Sequence, residues 1–344
     1  DATSGAILLE KDADRPLPPA SMSKLMTLFM VFEALEQGRI SMEDKFRTSK
    51  RASSMGGSKM FIREGELVSI ENLIRGVIVQ SGNDAAVALA EALAGTEEVF
   101  AERMTSRGAE IGLTNSVFAN ATGWPDPRHR MSARDLVTLS TRMIGDFPQF
   151  YPMFIEQEFT WDKVTQKNRN PLLYLGIGAD GLKTGHTEEA GYGLVASAVR
   201  GERRVVMVIT GLASKNERRH EAERLINWAF RAFETRRLYA KGDDLTEAPV
   251  WIGSSSTVTL TPERDVTITA PYGSLDKAAL KIRFEGPVPA PIEAGQAIGF
   301  IEIDVPDLPV VKVPLLAKHG VEEGGFVTRV QAAGELLLKS LIPG

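Results

Sequence analysis

Residues 21–38 read SMSKLMTLFMVFEALEQG, apolar on nearly every face of a helix, which predicts a helix buried in the middle of a domain. Two serines and a lysine stand at its start. SIENLIRGVIVQ, residues 69–80, predicts a second helix that opens on a serine N-cap and stops at SGND. AAVALAEALAG follows at once as a third, so Ser81 falls in a break between two helices. EEVFAERMTSRGAEIG and SARDLVTLSTRMI predict two more. The period then changes. GYGLVASAVRGERRVVMVITGLA, residues 191–213, holds two β-rich runs joined by a glycine-containing turn, an antiparallel hairpin. A long amphipathic helix, RRHEAERLINWAFRAFE, closes this part.

From residue 250 onward the pattern is one of short strands, STVTLTP, DVTITAP, ALKIRFEG and AIGFIEIDV, parted by Pro and Gly turns. The chain therefore divides near residues 237–245. Residues 1–238 form an α/β (α+β) domain with a partly antiparallel sheet and flanking helices, and residues 239–344 a small all-β sandwich. At the start, DATSGA reads as a turn and AILLE as the strand after it. The strand that should precede the turn is missing, as in a mature or trimmed chain. The tail RVQAAGELLLKSLIPG reads as packing on the β domain in preference to an interfacial helix.

Composition narrows the chemistry. At 344 residues there is length for two domains, and 43% hydrophobic with 25% charged residues is the profile of a globular protein. A net charge of −5 gives no reason to expect nucleic acid as a partner. There are 0 cysteines, so thiolate chemistry and disulfides are excluded and any nucleophile is Ser, Thr, Lys, Asp or Glu. His129, His186, His220 and His319 lack ligand-like spacing, so neither a metal nor another cofactor is expected.

If Ser21 begins the central helix, Lys24 lies one turn up the same face, within reach of the Ser21 hydroxyl. Burial and a neighbouring cation would push that amine toward its neutral, basic form. The helix start adds backbone N–H groups for a developing oxyanion. Ser-x-x-Lys alone is cheap, since it recurs as SLDK at Ser274 to Lys277; Ser-x-Asn also occurs twice, at Ser81 to Asn83 and at Ser214 to Asn216. The order is more specific. Ser21-x-x-Lys24, then Ser81-Gly82-Asn83, then the single Lys183-Thr184-Gly185 form a three-part set.

With PASMSKLMT, LIRGVIVQSGNDAAVALAE and DGLKTGHTEEAGYGLVASA, that set resembles the penicillin-interacting serine enzymes. The resemblance is closest to the D-alanyl-D-alanine carboxypeptidases of the low-molecular-mass (class C) penicillin-binding proteins, over roughly residues 1–235. It implies that Ser21 is the nucleophile, Lys24 its base and Ser81 a proton relay, with Asn83, Lys183, Thr184, Gly185, His186 and Arg218 contacting substrate. The oxyanion hole would use the N–H groups of Ser21 and His186. Arg218 would meet the substrate carboxylate, although Arg219 is adjacent. Asp146 and Arg169 lie where the family has an ion pair beside the site. The Gly-rich SSMGGSKMF would border the rim, either as an exposed turn or as a mobile loop that tunes deacylation.

The implied partners are peptidoglycan stem peptides and β-lactams. The implied place is the periplasm or the outer face of the cytoplasmic membrane, with contact to a membrane surface through a C-terminal anchor beyond the sequence here. Rival readings are an endopeptidase of cross-links, a class A-like β-lactamase and a catalytically silent wall scaffold. The β-lactamase reading lacks its Glu-x-x-Leu-Asn-type element between the second and third motifs: the only similar string, ERLIN, falls after Lys183.

Overall fold

The computed structural model describes residues 1–326. It divides into two compact units, Asp1–Phe230 and a second that begins at Arg231. The strands and helices that begin in the first unit are, in chain order, α1 (Lys24–Glu36), β1 (Lys45–Arg47), α2 (Lys50–Ser54), β2 (Leu67–Ser69), α3 (Ile70–Ile78), α4 (Asn83–Ala94), α5 (Glu97–Glu110), α6 (Ala133–Asp146), β3 (Glu158–Trp161), β4 (Val164–Lys167), β5 (Ala179–Thr187), β6 (Gly191–Arg200), β7 (Arg203–Leu212) and α7 (Lys215–Ala232).

Local chemistry sets the helix starts. The hydroxyls of Ser69, Thr96 and Ser132 accept from the backbone N–H three residues on and cap α3, α5 and α6. Helix α1 is buried almost all round, with Leu25, Met26, Leu28, Phe29, Val31 and Phe32 in one core. Phe32 stacks on Phe150 at 5.1 Å and meets Phe147 and Phe154 edge to face. Each such side chain contributes about 1.5–3 kcal/mol on burial, which fixes α1 as the axis of the unit. Strands β5, β6 and β7 make an antiparallel sheet in that order.

Two expectations need correction. The buried helix does not begin as an α-helix at Ser21: residues Ala20–Ser23 form a 3-10 turn and the α-helix starts at Lys24. The AILLE run forms no strand. Ile7 and Leu9 are exposed, and the segment joins no ladder among the described residues. A strand exists only where its N–H and C=O groups find a partner strand, which local preference cannot supply.

The second unit holds β8 (Phe233–Tyr239), β9 (Thr246–Trp251), β10 (Thr257–Pro262), β11 (Val266–Pro271), β12 (Ala279–Phe284), β13 (Val288–Pro289), β14 (Ala297–Asp304) and β15 (Val311–Ala317). A six-stranded sheet runs β12-β14-β15-β10-β9-β13, and β8 pairs with β11 in a separate ribbon. Strand β8 thus belongs to the second unit. Period-two alternation turns Val258 and Leu260 inward, onto Ile301, Ile303, Val313 and Leu315. The tail RVQAAGELLLKSLIPG lies outside the described residues. Among the described residues no helix is long and apolar enough to cross a membrane.

Candidate active site

The 3-10 turn explains how Ser21 meets Lys24. Side chains three apart eclipse in this geometry, and Lys24 Nζ lies 2.8 Å from Ser21 Oγ. Ser23 is diverted: fully buried, it donates its hydroxyl to the carbonyl of Ala20 at 3.1 Å. Lys24 is 0% exposed and also donates to Asn83 Oδ1 at 2.7 Å and to the carbonyl of Thr122 at 2.5 Å. The Asn83 amide is oriented unambiguously, because its Nδ2 donates to the carbonyl of Gly56 at 2.8 Å and a carbonyl can only accept. Burial first, then the Arg169 charge, pushes the Lys24 pKa down to about 7, against the opposing pull of Asp84 and Glu97.

Ser81 occupies the break between α3 and α4 with φ +58°, in the left-handed region that a non-glycine residue rarely adopts. What holds it there is Asp84, fully buried at the start of α4. Its carboxylate accepts from the N–H groups of Met60 at 3.0 Å, Phe61 at 2.9 Å and Ala85 at 2.9 Å. The N–H of Asn83 donates to the carbonyl of Ser58 at 2.7 Å, tying the Gly-rich segment to the same corner. The segment is therefore a wall of the cleft.

Lys183, on β5, reaches Ser81 Oγ at 2.7 Å and the carbonyl of Thr184 at 3.1 Å. Burial, then Lys24, Arg169 and Arg218, hold its amine well below the ordinary lysine range. Thr184 is buried beside it and His186 is exposed. Gly185 has a steric reason to be glycine. A Cβ there would meet the carbonyl of Pro19 at 2.9 Å and Met22 Cγ at 3.0 Å, so only glycine lets β5 press against the turn that carries Ser21.

Of the two adjacent arginines at the start of α7, Arg218 is 7% exposed and Arg219 lies in solvent. The Arg218 guanidinium sits over the Tyr192 ring, 5.7 Å from its centroid. The Asp146–Arg169 pair does not form. Asp146 pairs with Arg142 one turn back at 3.0 Å, a neighbour supplied by α6 itself, whereas Arg169 donates to the Ser58 hydroxyl. The decoy motifs do other work: Ser214 caps α7 by accepting from the N–H of Glu217 at 3.0 Å, and Ser274 precedes a 3-10 turn in the second unit.

Sequence reasoning missed the loop that supplies the Thr122 carbonyl. Asn120 Oδ1 accepts from the N–H groups of Thr122, Gly123 and Trp124 at 3.1, 2.8 and 3.0 Å, and Thr27 Oγ1 donates to the carbonyl of Ala121 at 2.7 Å. Gly123 has φ +76°, and a Cβ there would lie 1.9 Å from the carbonyl oxygen of Ala20. His129 steadies the same loop, accepting from the N–H of Ala119 at 3.2 Å; burial pushes its pKa down to about 4, so it is neutral. The available signal was the NATG turn, whose Asn folds back on its own backbone.

Residues 1–214 match the family described as D-alanyl-D-alanine carboxypeptidase, and residues 233–323 match the C-terminal domain of penicillin-binding protein 5. The D-alanyl-D-alanine carboxypeptidase DacC of Escherichia coli is 38% identical over 96% of this chain and 84% of its own. Among solved structures, penicillin binding protein 5 from Haemophilus influenzae superposes with a TM-score of 0.89 at 36% identity, over 93% of this chain and 95% of that one. Penicillin-binding protein D2 from Listeria monocytogenes, solved in its ampicillin-bound form, gives 0.61 at 29% identity, over 67% of this chain and 94% of that one.

Proposed function

The chain belongs to the D-alanyl-D-alanine carboxypeptidase family, and from that premise we propose how its own residues remove the terminal D-alanine of a peptidoglycan stem pentapeptide. The enzyme is a serine hydrolase of the penicillin-binding type. The observation that carries the reading of the site is the Lys24 amine, with a pKa of about 7, standing 2.8 Å from Ser21 Oγ.

A neutral amine has two N–H groups and one lone pair. The Asn83 and Thr122 oxygens can only accept, so they take the two N–H groups and leave the lone pair for the Ser21 hydroxyl. Ser21 Oγ then attacks the carbonyl carbon of the penultimate D-alanine while its proton passes to Lys24. The N–H groups of Ser21 and His186 receive the oxyanion. As the peptide bond breaks, Ser81 passes a proton to the departing D-alanine nitrogen and is resupplied by Lys24, so the amine is neutral again when the acyl-enzyme forms. Lys24 next takes a proton from the water that hydrolyses this ester, releasing tetrapeptide and free Ser21. Asn83 holds the substrate's peptide.

Lys183, Thr184, Gly185 and Arg218 form the side that receives the terminal carboxylate. Arg169 and Arg218 lay positive charge on the Lys183 amine, a field that favours an anion. A β-lactam, whose carboxylate and strained amide mimic the dipeptide, acylates the same serine. Since the substrate is in the cell wall, the protein works outside the cytoplasm, in the periplasm or at the outer face of the cytoplasmic membrane, with a C-terminal anchor as the route to a membrane surface. The test is mass spectrometry of pentapeptide and of cross-linked dimer after incubation. Free D-alanine from the pentapeptide is expected, whereas cleavage of the dimer alone would replace the carboxypeptidase reading with the endopeptidase one.

A further inference from the structure

Among the described residues Arg218 is a buried cation without a counter-ion. Among the described residues its guanidinium forms no ion pair, and its Nε is buried with no hydrogen-bond partner. A buried charge of this kind needs compensation. What lies against it is the face of Tyr192, 5.7 Å from ring centroid to guanidinium carbon. That ring is fixed in turn by the sheet. Tyr192 stands directly across from His186 in the β5–β6 register and from Leu212 on β7. The His186 imidazole stacks on it with 3.9 Å between centroids and 32° between planes.

From this arrangement we propose that Tyr192 is the positioning residue for Arg218, holding the guanidinium by a cation–π contact so that it is ordered yet un-neutralised when a substrate carboxylate arrives. The inference rests on the carboxylate-binding role proposed above for Arg218. The physical logic is one of selection between two kinds of support. A carboxylate partner would hold the arginine more strongly but would cancel the charge that the substrate must meet. An aromatic face offers its quadrupole without a formal charge, so it offsets part of the burial cost and leaves the N–H fork free. Through the His186 stack the same ring ties the carboxylate end of the cleft to the strand whose N–H is assigned to the oxyanion. Tyr192 touches no reacting atom; it acts through Arg218.

The test compares two esters of one acyl peptide. One has D-lactate as leaving group, and the other has isopropanol, in which a methyl replaces the carboxylate. The readout is the ratio of their kcat/KM values. In the wild-type enzyme the lactate ester is preferred, and Tyr192→Leu lowers the ratio by about 2- to 30-fold, the span of a cation–π contact converted at 1.4 kcal/mol per tenfold. Tyr192→Phe restores it. Installing 3,5-difluoro- and then pentafluorophenylalanine at position 192 keeps the ring's shape while reversing its quadrupole, and the ratio falls stepwise; this arm stands even if the leucine variant fails to fold. In Arg218→Gln the ratio is already low and Tyr192→Leu lowers it no further. An unchanged ratio across the fluorinated series, or additive losses in the double variant, overturns the role of Tyr192 while leaving the acyl-enzyme intact. A wild-type enzyme that turns over both esters with no preference overturns the Arg218 reading on which it rests. Failure to turn over either ester, with no Ser21 acylation, would instead sink the proposed function itself and this inference with it.

Discussion

Lys24 has to be basic and neutral at once, and the residues around it reconcile the two demands. Burial and Arg169 lower its pKa to about 7, while Asn83 and Thr122 aim the lone pair at Ser21. The sign of the pH dependence follows. Only the neutral amine is a base, so the acylation rate should climb roughly tenfold per pH unit below about 7 and level off above it. Stopped-flow kinetics with a chromogenic cephalosporin between pH 5.5 and 9 checks this; a flat or falling profile would contradict it. The Ser21–Lys24 pair was legible because a three-residue spacing implies contact in any helical turn. The Thr122 carbonyl was not, since a backbone oxygen has no residue identity to read. Nor was the partner of Arg169, which depends on where two distant loops meet.

The elements carry the site by their ends. Ser81 is displayed in a left-handed conformation where α3 stops, Lys24 is the first residue of α1, and Arg218 lies in the first turn of α7. Asp84 is the clamp at this level, since one carboxylate gathers backbone N–H groups of residues 60, 61 and 85 around the Ser81 corner. Replacing it with alanine leaves buried donors unpaired, each costing about 1–3 kcal/mol. Asp84→Ala should therefore lower the thermal midpoint of the first unit and slow acylation, measured by calorimetry and penicillin labelling; an unchanged midpoint would refute the clamp. Helix starts were readable from Ser69 and Ser132, whose caps are local. The AILLE run was misread because strand pairing is not local, and the β3–β4 ribbon was missed because VTQK alternates too briefly among polar residues to stand out.

Across the whole molecule, the residues assigned to catalysis and substrate binding all fall within Asp1–Phe230, although Ser21, Ser81, Lys183 and Arg218 are spread along it. Their order along the chain was the legible signal, because three common motifs seldom recur together by chance. Their convergence required the close approach of β5 to the Ser21 turn at Gly185, which no spacing reveals. The second unit was legible from its period-two strands, although its sheet order, with β15 between β14 and β10, is a long-range property. The central claim is a covalent ester on Ser21, formed with Lys24 as base. Intact-mass and peptide mass spectrometry after exposure to benzylpenicillin tests it most directly. One penicilloyl adduct is expected, on the peptide that contains Ser21, lost in Ser21→Ala and strongly slowed in a folded Lys24→Ala. No adduct on the wild-type chain, or one that survives Ser21→Ala, would contradict it.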